Sequence, residues 1–400
     1  MLPWLRSFIF TKNIQVLKKL FFIPALFLFH LLPAQTDTCG LRISLLTCTP
    51  GQELYSSFGH SALRVVDSVN HLDLVFNYGT FDFDDPRFYS KFIKGKLLYF
   101  VSIDQFPDFM YEYQYFGRGV TEQVLKMNCS EKTALLKALY ENAKEENKYY
   151  KYDFNYDNCT TRLRDIIKKY KQNTLHTKNI LPYKGVTFRN LIHEYLNRSG
   201  QHWSKLGIDI LLGAPLDKKV TSAEAMFLPD YLMKGFDSTT YAGTELVSTK
   251  QQLLPSVSKT RQAVFFKPFV VFSLLFFLVL FASLARGAPA RYFLNVFDPA
   301  FFFLCGVIGL LLLFMWFATD HAMCRNNLNL LWALPFHLPV VFFMGTRKRW
   351  LKNYFRFSFL LSVVLLISWF LLPQQLNIAL LPVTGILIFR SYFLSRVTTR

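Results

Sequence analysis

The chain has 400 residues, 52% of them hydrophobic and only 18% charged, with a mean hydropathy of +0.22. This composition excludes a disordered chain and a single soluble domain, and it predicts a protein that is part membrane and part globular. Lys and Arg outnumber Asp and Glu by 45 to 27, yet residues 37–265 carry 29 basic against 25 acidic side chains, so the excess is not a nucleic-acid-binding face.

The excess lies at the two ends, with 4 basic and no acidic residues in 1–36 and 12 against 2 in 266–400, where it flanks apolar segments as membrane topology requires. At the N-terminus, Arg6, Lys12, Lys18 and Lys19 precede the apolar run 20–32 and then Pro33, Ala34 and Gln35, a secretory-signal pattern. A helix over that run spans about 20 Å, short of the roughly 30 Å hydrocarbon core, which favours export and cleavage near Gln35 over a permanent anchor. Residues 1–35 are therefore expected to be a signal peptide. Cys39 follows closely, but Thr36, Asp37 and Thr38 make a poor lipidation box.

An exported domain is expected over 37–236, long enough for a core of its own. Strand-like runs at 41–48, 62–66, 72–78 and 96–103 alternate with turn residues. Helical patterns follow at 131–143, 160–171, 188–196 and 223–233, giving an α+β domain. The Ser/Thr-rich stretch 237–265 reads as a linker. The remainder, 266–400, is expected to be an all-α membrane domain with five spans, at 269–285, 299–318, 328–344, 357–372 and 376–390. Arg286, Arg291, Arg347, Lys348, Arg349, Lys352, Arg356, Arg390, Arg396 and Arg400 fall on one side of these spans, against Arg325 alone on the other. The basic side is then cytoplasmic, and the exported domain faces a periplasm from the inner membrane.

Of six cysteines, Cys159 stands out by its surroundings, KYDFNYDNCTTRLRD over 151–165. Asp157 or Asn158 is placed to cap a helix beginning near Thr160, which puts the thiol at the helix N-terminus, where aligned peptide dipoles favour thiolate. The pairing of Cys39, Cys48 and Cys129 is left open. His60 ends a Gly/Ser-containing loop (GQELYSSFGHSALRVV, 51–66) and enters a strand, a position from which an imidazole can face a helix start. A thiol and an imidazole so placed form the pair of papain-like enzymes, here with histidine first in the chain, the order of circularly permuted relatives. Asn77, on the following strand, is a candidate to hold the ring's tautomer, with His71 and Asp73 as rivals. No metal-ligand cluster, phosphate-binding glycine loop or nucleotide motif appears, and no cofactor is expected.

These stretches resemble a known family. LLTCTPGQELYSSFGHSALRV (45–65), FNYGTFDFDDPRFYSKFIKGKLLYFVS (76–102) and YKYDFNYDNCTTRLRD (150–165) are similar to the Lnb-type lipoprotein N-acyltransferases. So are LGIDILLGAPLDKKVTSAEAMFLPDYL (206–232) and ATDHAMCRNNLNLLWALP (318–335). The resemblance implies a permuted NlpC/P60-like thiol fold joined to a membrane domain, which makes triacylated lipoproteins from diacylated ones. The histidine of the family's FGH motif falls on His60 and the cysteine of its DNC motif on Cys159; the role of Asn77 is a geometric expectation.

A thiol enzyme acting on acyl chains has a physical reason to sit at a membrane, since each methylene exposed to water costs about 0.8 kcal/mol. The expected partners are a phospholipid acyl donor, a diacylated lipoprotein acceptor and the membrane, with no nucleic acid. Asp320, His321, Asn326, Asn327 and Asn329, at the outer ends of the second and third spans, are candidates to contact a headgroup or the acceptor amine. Their other reading is a polar interfacial turn with Asn capping the next helix. Arg162, Arg164, Lys168, Lys169 and Lys171 form a basic run that would attract anionic phospholipid at about 1 kcal/mol per charge, or simply a solvated helix face. The rival functions are a membrane-tethered Cys/His hydrolase acting on peptidoglycan peptides or phospholipid esters, and a non-enzymatic scaffold.

Overall fold

The computed structural model describes residues 39–171, 175–257, 267–285, 287–346 and 348–396; the expected signal peptide lies outside them. The strands are β1 (Leu41–Cys48), β2 (His60–Asp67), β3 (Leu72–Thr80), β4 (Leu98–Gln105), β5 (Val120–Leu125), β6 (Tyr149–Lys151), β7 (His176–Thr177), β8 (Thr239–Tyr241), β9 (Thr244–Glu245) and β10 (Val247–Leu254). The helices of the exported part are α1 (Phe88–Ile93), α2 (Phe106–Tyr115), α3 (Cys129–Ala143), α4 (Cys159–Tyr170), α5 (Phe188–Arg198), α6 (His202–Leu211), α7 (Ser222–Ala225) and α8 (Pro229–Asp237).

β1, LRISLLTC, buries six consecutive residues, and such a run needs cover on both faces. It receives it within a seven-stranded antiparallel sheet of order β10-β5-β1-β2-β3-β4-β6. Side chains alternate across the pleat. Ile43, Leu45, Leu63, Val65 and Phe76 pack on α3, α4 and α8 through Leu135, Leu139, Leu163, Ile167, Leu232 and Phe236. On the opposite face Leu46, Cys48, Ala62, Val75 and Val120 pack on Phe109 and Tyr113 of α2. Each fully buried Leu or Phe contributes roughly 1.5–3 kcal/mol. The exported part is thus an α/β domain built on a sheet.

The expected linker is corrected over much of its length. Residues 239–254 form β8, β9 and β10, and β10 pairs along β5 at the sheet edge. Edge pairing is made by backbone groups and asks for no apolar face, so VSTKQQLL reads as a polar linker while serving as a strand.

The C-terminal region is helical: α9 (Pro268–Leu284), α10 (Ala288–Phe317), α11 (His337–Val341), α12 (Arg349–Ser368) and α13 (Leu381–Arg396). Among the described residues, three helices are long and apolar enough to cross a membrane, Ala288–Phe317, Arg349–Ser368 and Ile378–Arg396, and Pro268–Leu284 is a shorter apolar one. The expected third span, 328–344, is not a continuous helix. It comprises a 3-10 turn (Leu328–Leu331), α11 and irregular backbone, with Pro335 and Pro339 in the segment. It runs down α10, where a side chain at Gly309 would meet the Ala333 carbonyl and one at Gly306 the Leu338 backbone. Irregular backbone at membrane depth is tolerated where protein covers it. Arg390 leaves the set of loop cations: it is buried on α13, and its guanidinium forks onto both oxygens of Asp298 on α10, each at 2.7 Å. α10 extends N-terminally past Asp298 and Pro299, where the sequence suggested a start, and Arg390 pairs the charge that this places within the helix.

Residues from Leu41 onward form one compact unit, and a buried polar joint ties the two regions together. Arg189 of α5, fully buried, donates to Asp209 at 2.7 Å, to Asp217 and to the carbonyls of Leu212 and Gly213. Across from it, the amide of Asn327 donates to the Ile210 and Leu211 carbonyls and that of Asn329 to the Asp209 carbonyl, at 2.8, 3.1 and 2.9 Å. Gly213 is required there, because a Cβ would lie 2.0 Å from the Arg325 carbonyl oxygen. The expectation that Asn327 and Asn329 contact substrate is corrected: both are buried, and their amides are committed to this joint.

Candidate active site

The site begins with a helix cap. Asn158 accepts from the Thr160 and Thr161 backbone N–H groups at 2.9 and 2.8 Å, and its amide nitrogen donates to the carbonyls of Phe154 and Phe227. A buried cap tied on both sides fixes where α4 starts, and Cys159 is its first residue. The cap takes the next two N–H groups, which leaves that of Cys159 pointing out of the helix end.

Opposite it lies the end of the β2/β3 hairpin. Leu63 pairs with Phe76, and continuing that register sets His60, the first residue of β2, against Gly79. Gly79 has φ +94°, and a Cβ there would lie 3.4 Å from Cys159 Cβ. A glycine accepts the left-handed backbone and lets the helix start close onto the strand end. His60 and Cys159 are both half-buried, hence shielded and still reachable.

His60 Nε2–H donates to Asn77 Oδ1 at 2.6 Å, and Asn77 Nδ2 donates to Asp104 Oδ2 on β4 at 3.1 Å. A carboxylate only accepts, so Asp104 orients the amide and the amide sets the ring's tautomer, leaving Nδ1 for the thiol. The rivals stand elsewhere: His71 lies at the far turn of the hairpin with φ 54°, and Asp73 forks with Arg64 at 2.6 and 2.8 Å. Asp104 was not singled out in the sequence. Its signal was its place two residues from Ser102, which pairs with Asn77 across the β3/β4 ladder.

The two thiols nearest His60 behave oppositely. Burial pushes the Cys159 thiol up, but the charge and hydrogen bond of His60, the Thr160 hydroxyl and the Ser61 backbone N–H outweigh it, and its pKa falls to about 7. Burial opposes charge on His60 too, yet the Cys159 sulfur and Asn77 together raise its pKa. Cys48, which pairs with His60 across the ladder, is pushed up to about 12 by burial, with Arg118 and a Tyr113 hydrogen bond opposing. The thiolate–imidazolium pair is thus favoured at one cysteine and excluded at its neighbour.

Among the other expected residues, Arg162 forks onto Asp157 at 2.6 and 2.8 Å and lies 3.5 Å over the Tyr150 ring. Lys171 is buried against Glu131 at 2.9 Å, so the basic run is not one free face. Asp320 pairs with Lys151 at 2.8 Å, and His321 Nε2 lies 3.1 Å from the Phe92 carbonyl oxygen. These two residues join the domain to the end of α10 and do not reach the His60–Cys159 pair directly.

A half-buried thiol at a helix start, an imidazole held by an amide, and apolar helices hydrogen-bonded to the same domain define a membrane protein whose exported α/β domain carries a cysteine–histidine cluster. Residues 31–194 match the family model for the Lnb N-terminal periplasmic domain, and residues 259–400 match that for the Lnb transmembrane domain. The chain belongs to the Lnb family, and it is a membrane protein with a periplasmic N-terminal domain. No curated protein and no solved structure matches it.

Proposed function

We propose that the chain is a lipoprotein N-acyltransferase that moves an acyl chain from phospholipid to the α-amine of a diacylated lipoprotein cysteine. The observation that carries this reading is the Cys159–His60–Asn77 cluster with a lowered thiol pKa, on a domain bonded to the outer ends of membrane helices. The exported domain is read as a permuted papain-like fold, since a histidine strand precedes a cysteine helix and the helix start closes on the strand end.

The Cys159 thiolate attacks the ester carbonyl, and the Cys159 backbone N–H supports the oxyanion. The tetrahedral adduct collapses with loss of the glycerol oxygen, which takes the proton from His60 and leaves as lysophospholipid. A thioester remains. The acceptor amine then attacks it, His60 takes the amine's proton, and the thiolate departs to give the amide. Asn77 holds the ring through both proton transfers, and Asp104 holds Asn77.

Purified full-length protein given phospholipid and a diacylated lipopeptide with a free α-amine is expected to yield the N-acylated peptide and an equal amount of lysophospholipid. Acetylating that amine strands the acyl group on Cys159. Rapid release of free fatty acid with or without the amine would establish the hydrolase instead.

A further inference from the structure

Helix α1 and its flanks present apolar side chains that the domain itself does not cover. Phe83 and Tyr89 are 63% and 76% exposed, and Phe92, Ile93 and Leu98 are about half exposed. A patch of this kind on an otherwise packed domain marks a contact surface. Its position identifies the contact. The Asp320 N–H donates to the Lys94 carbonyl at 3.0 Å, His321 meets the Phe92 carbonyl, and Gly95 packs on Asp320 and His321. Those residues directly follow α10, whose last residue, Phe317, is itself largely exposed. The patch therefore sits at the height where a spanning helix leaves the hydrocarbon, the level at which aromatic side chains concentrate. Arg87, Lys94 and Lys96 lie exposed around it, while Lys91 is neutralised by Asp85 at 2.5 Å and Asp82 and Asp84 lie in the turn before the helix. Exposed cations beside aromatics suit a phospholipid headgroup layer.

Behind the patch the rings continue inward. Phe88, buried, stacks on Phe92 and meets Phe81, Phe81 meets Tyr99 at 5.2 Å, and Tyr99 stacks on Tyr152 at 4.2 Å. Tyr99, Tyr152 and Cys159 pack against the same core cluster. Midway along this series, Phe81 closely follows Gly79 in the chain, and a Cβ at Gly79 would meet Cys159 Cβ at the start of α4.

We infer that residues 81–98 lie in the outer-leaflet interface of the bilayer, and that the aromatic series behind them is the track by which a phospholipid acyl ester reaches Cys159. The placement stands on the contacts with the end of α10; the track rests on the acyltransfer reading.

The test uses the full chain in vesicles of phosphatidylethanolamine and phosphatidylglycerol, with a photoreactive benzophenone side chain at position 89 or 92. Position 69, exposed at the far turn of the hairpin, is the comparison. Irradiation is expected to give phospholipid adducts at 89 and 92 and few at 69. Equal yields at all three positions, or protein adducts replacing lipid ones in whole cells, would overturn the placement. Tyr89→Glu with Phe92→Glu is expected to slow acylation of Cys159 from vesicle phospholipid at least about tenfold at an unchanged melting temperature; an unchanged rate would overturn the track. If the unsubstituted protein never acylates Cys159 while lipid adducts still form at 89 and 92, the acyltransfer reading falls and the placement stands.

Discussion

Asn77 and His60 meet diagonally between β3 and β2 with amide oxygen and ring nitrogen 2.6 Å apart, and the far end of the same amide is bound to Asp104. Turning the amide would set its NH2 against the ring N–H and its oxygen against a carboxylate. Both contacts would then be repulsive, so the chain of three side chains has one satisfactory arrangement. The proton on Nε2 stays there, and the nitrogen facing α4 is the basic one.

Removing the base should show in the first half-reaction. His60→Ala is expected to slow acylation of Cys159 by roughly 10²–10⁴-fold, measured as intact-protein mass after mixing with phospholipid. Asn77→Ala is expected to cost roughly 10–100-fold, because an unheld ring still carries its nitrogen. A silent Asn77→Ala would remove the orienting role from this residue.

Cys159→Ala is expected to abolish acylation and transfer while the protein remains folded and in the membrane. Cys159→Ser should be far weaker, since a serine hydroxyl offers no comparable anion near neutral pH. Full transfer by the alanine protein would sink the mechanism.

The pH dependence follows from the lowered thiol pKa. Thiolate accumulates as pH rises, so alkylation of Cys159 by iodoacetamide should increase through an inflection near 7. In His60→Ala the cation is gone and only the Thr160 hydroxyl and the Ser61 backbone N–H still oppose burial, so the inflection should move up toward the ordinary thiol value of about 8.5. Peptide mapping separates Cys159 from Cys48, whose raised pKa predicts no reaction in the same range.

Topology is testable by fusion. A reporter active only in the periplasm is expected to work when fused after Val257, and one active only in the cytoplasm when fused after Arg400, as the distribution of basic loop residues requires. Reversal of both would move the thiol to the wrong side of the membrane.

Gly213→Val places side-chain atoms on the Arg325 carbonyl, where even a Cβ would lie 2.0 Å away. The expected loss is about 1–3 kcal/mol of stability, concentrated in the joint. Hydrogen exchange should accelerate at 206–217 and 320–331 and change little in β1 to β4.

What the sequence disclosed depended on whether the cause of a feature was local. β1 to β3 were legible because apolar runs and turn residues lie within the strands themselves, and the start of α4 was legible because Asn158 sits beside Cys159. That His60, Asn77 and Cys159 meet followed from the order of two strands and a helix. β10 was missed because its stabilising partner, β5, lies more than a hundred residues earlier. Asn329 looked like a headgroup ligand because its acceptor, the Asp209 carbonyl, comes from 120 residues away. The broken third span was missed because its backbone is covered by α10, and hydropathy alone registers apolar content without registering who supplies the cover.

The Asp298–Arg390 fork also has a consequence for how the membrane part assembles. Asp298 leaves the insertion machinery with α10, and its partner follows only 92 residues later on α13. Until then a carboxylate sits among lipid tails or shelters in the insertion machinery, at about 2.5–3.5 kcal/mol for a charge at mid-membrane. Docking of α13 supplies the partner, so Arg390 is expected to matter for assembly of the membrane part. A chain that lacks Arg390 keeps every group of the thiol cluster, and its expected defect, read by immunoblot of the membrane fraction, is less protein in the membrane.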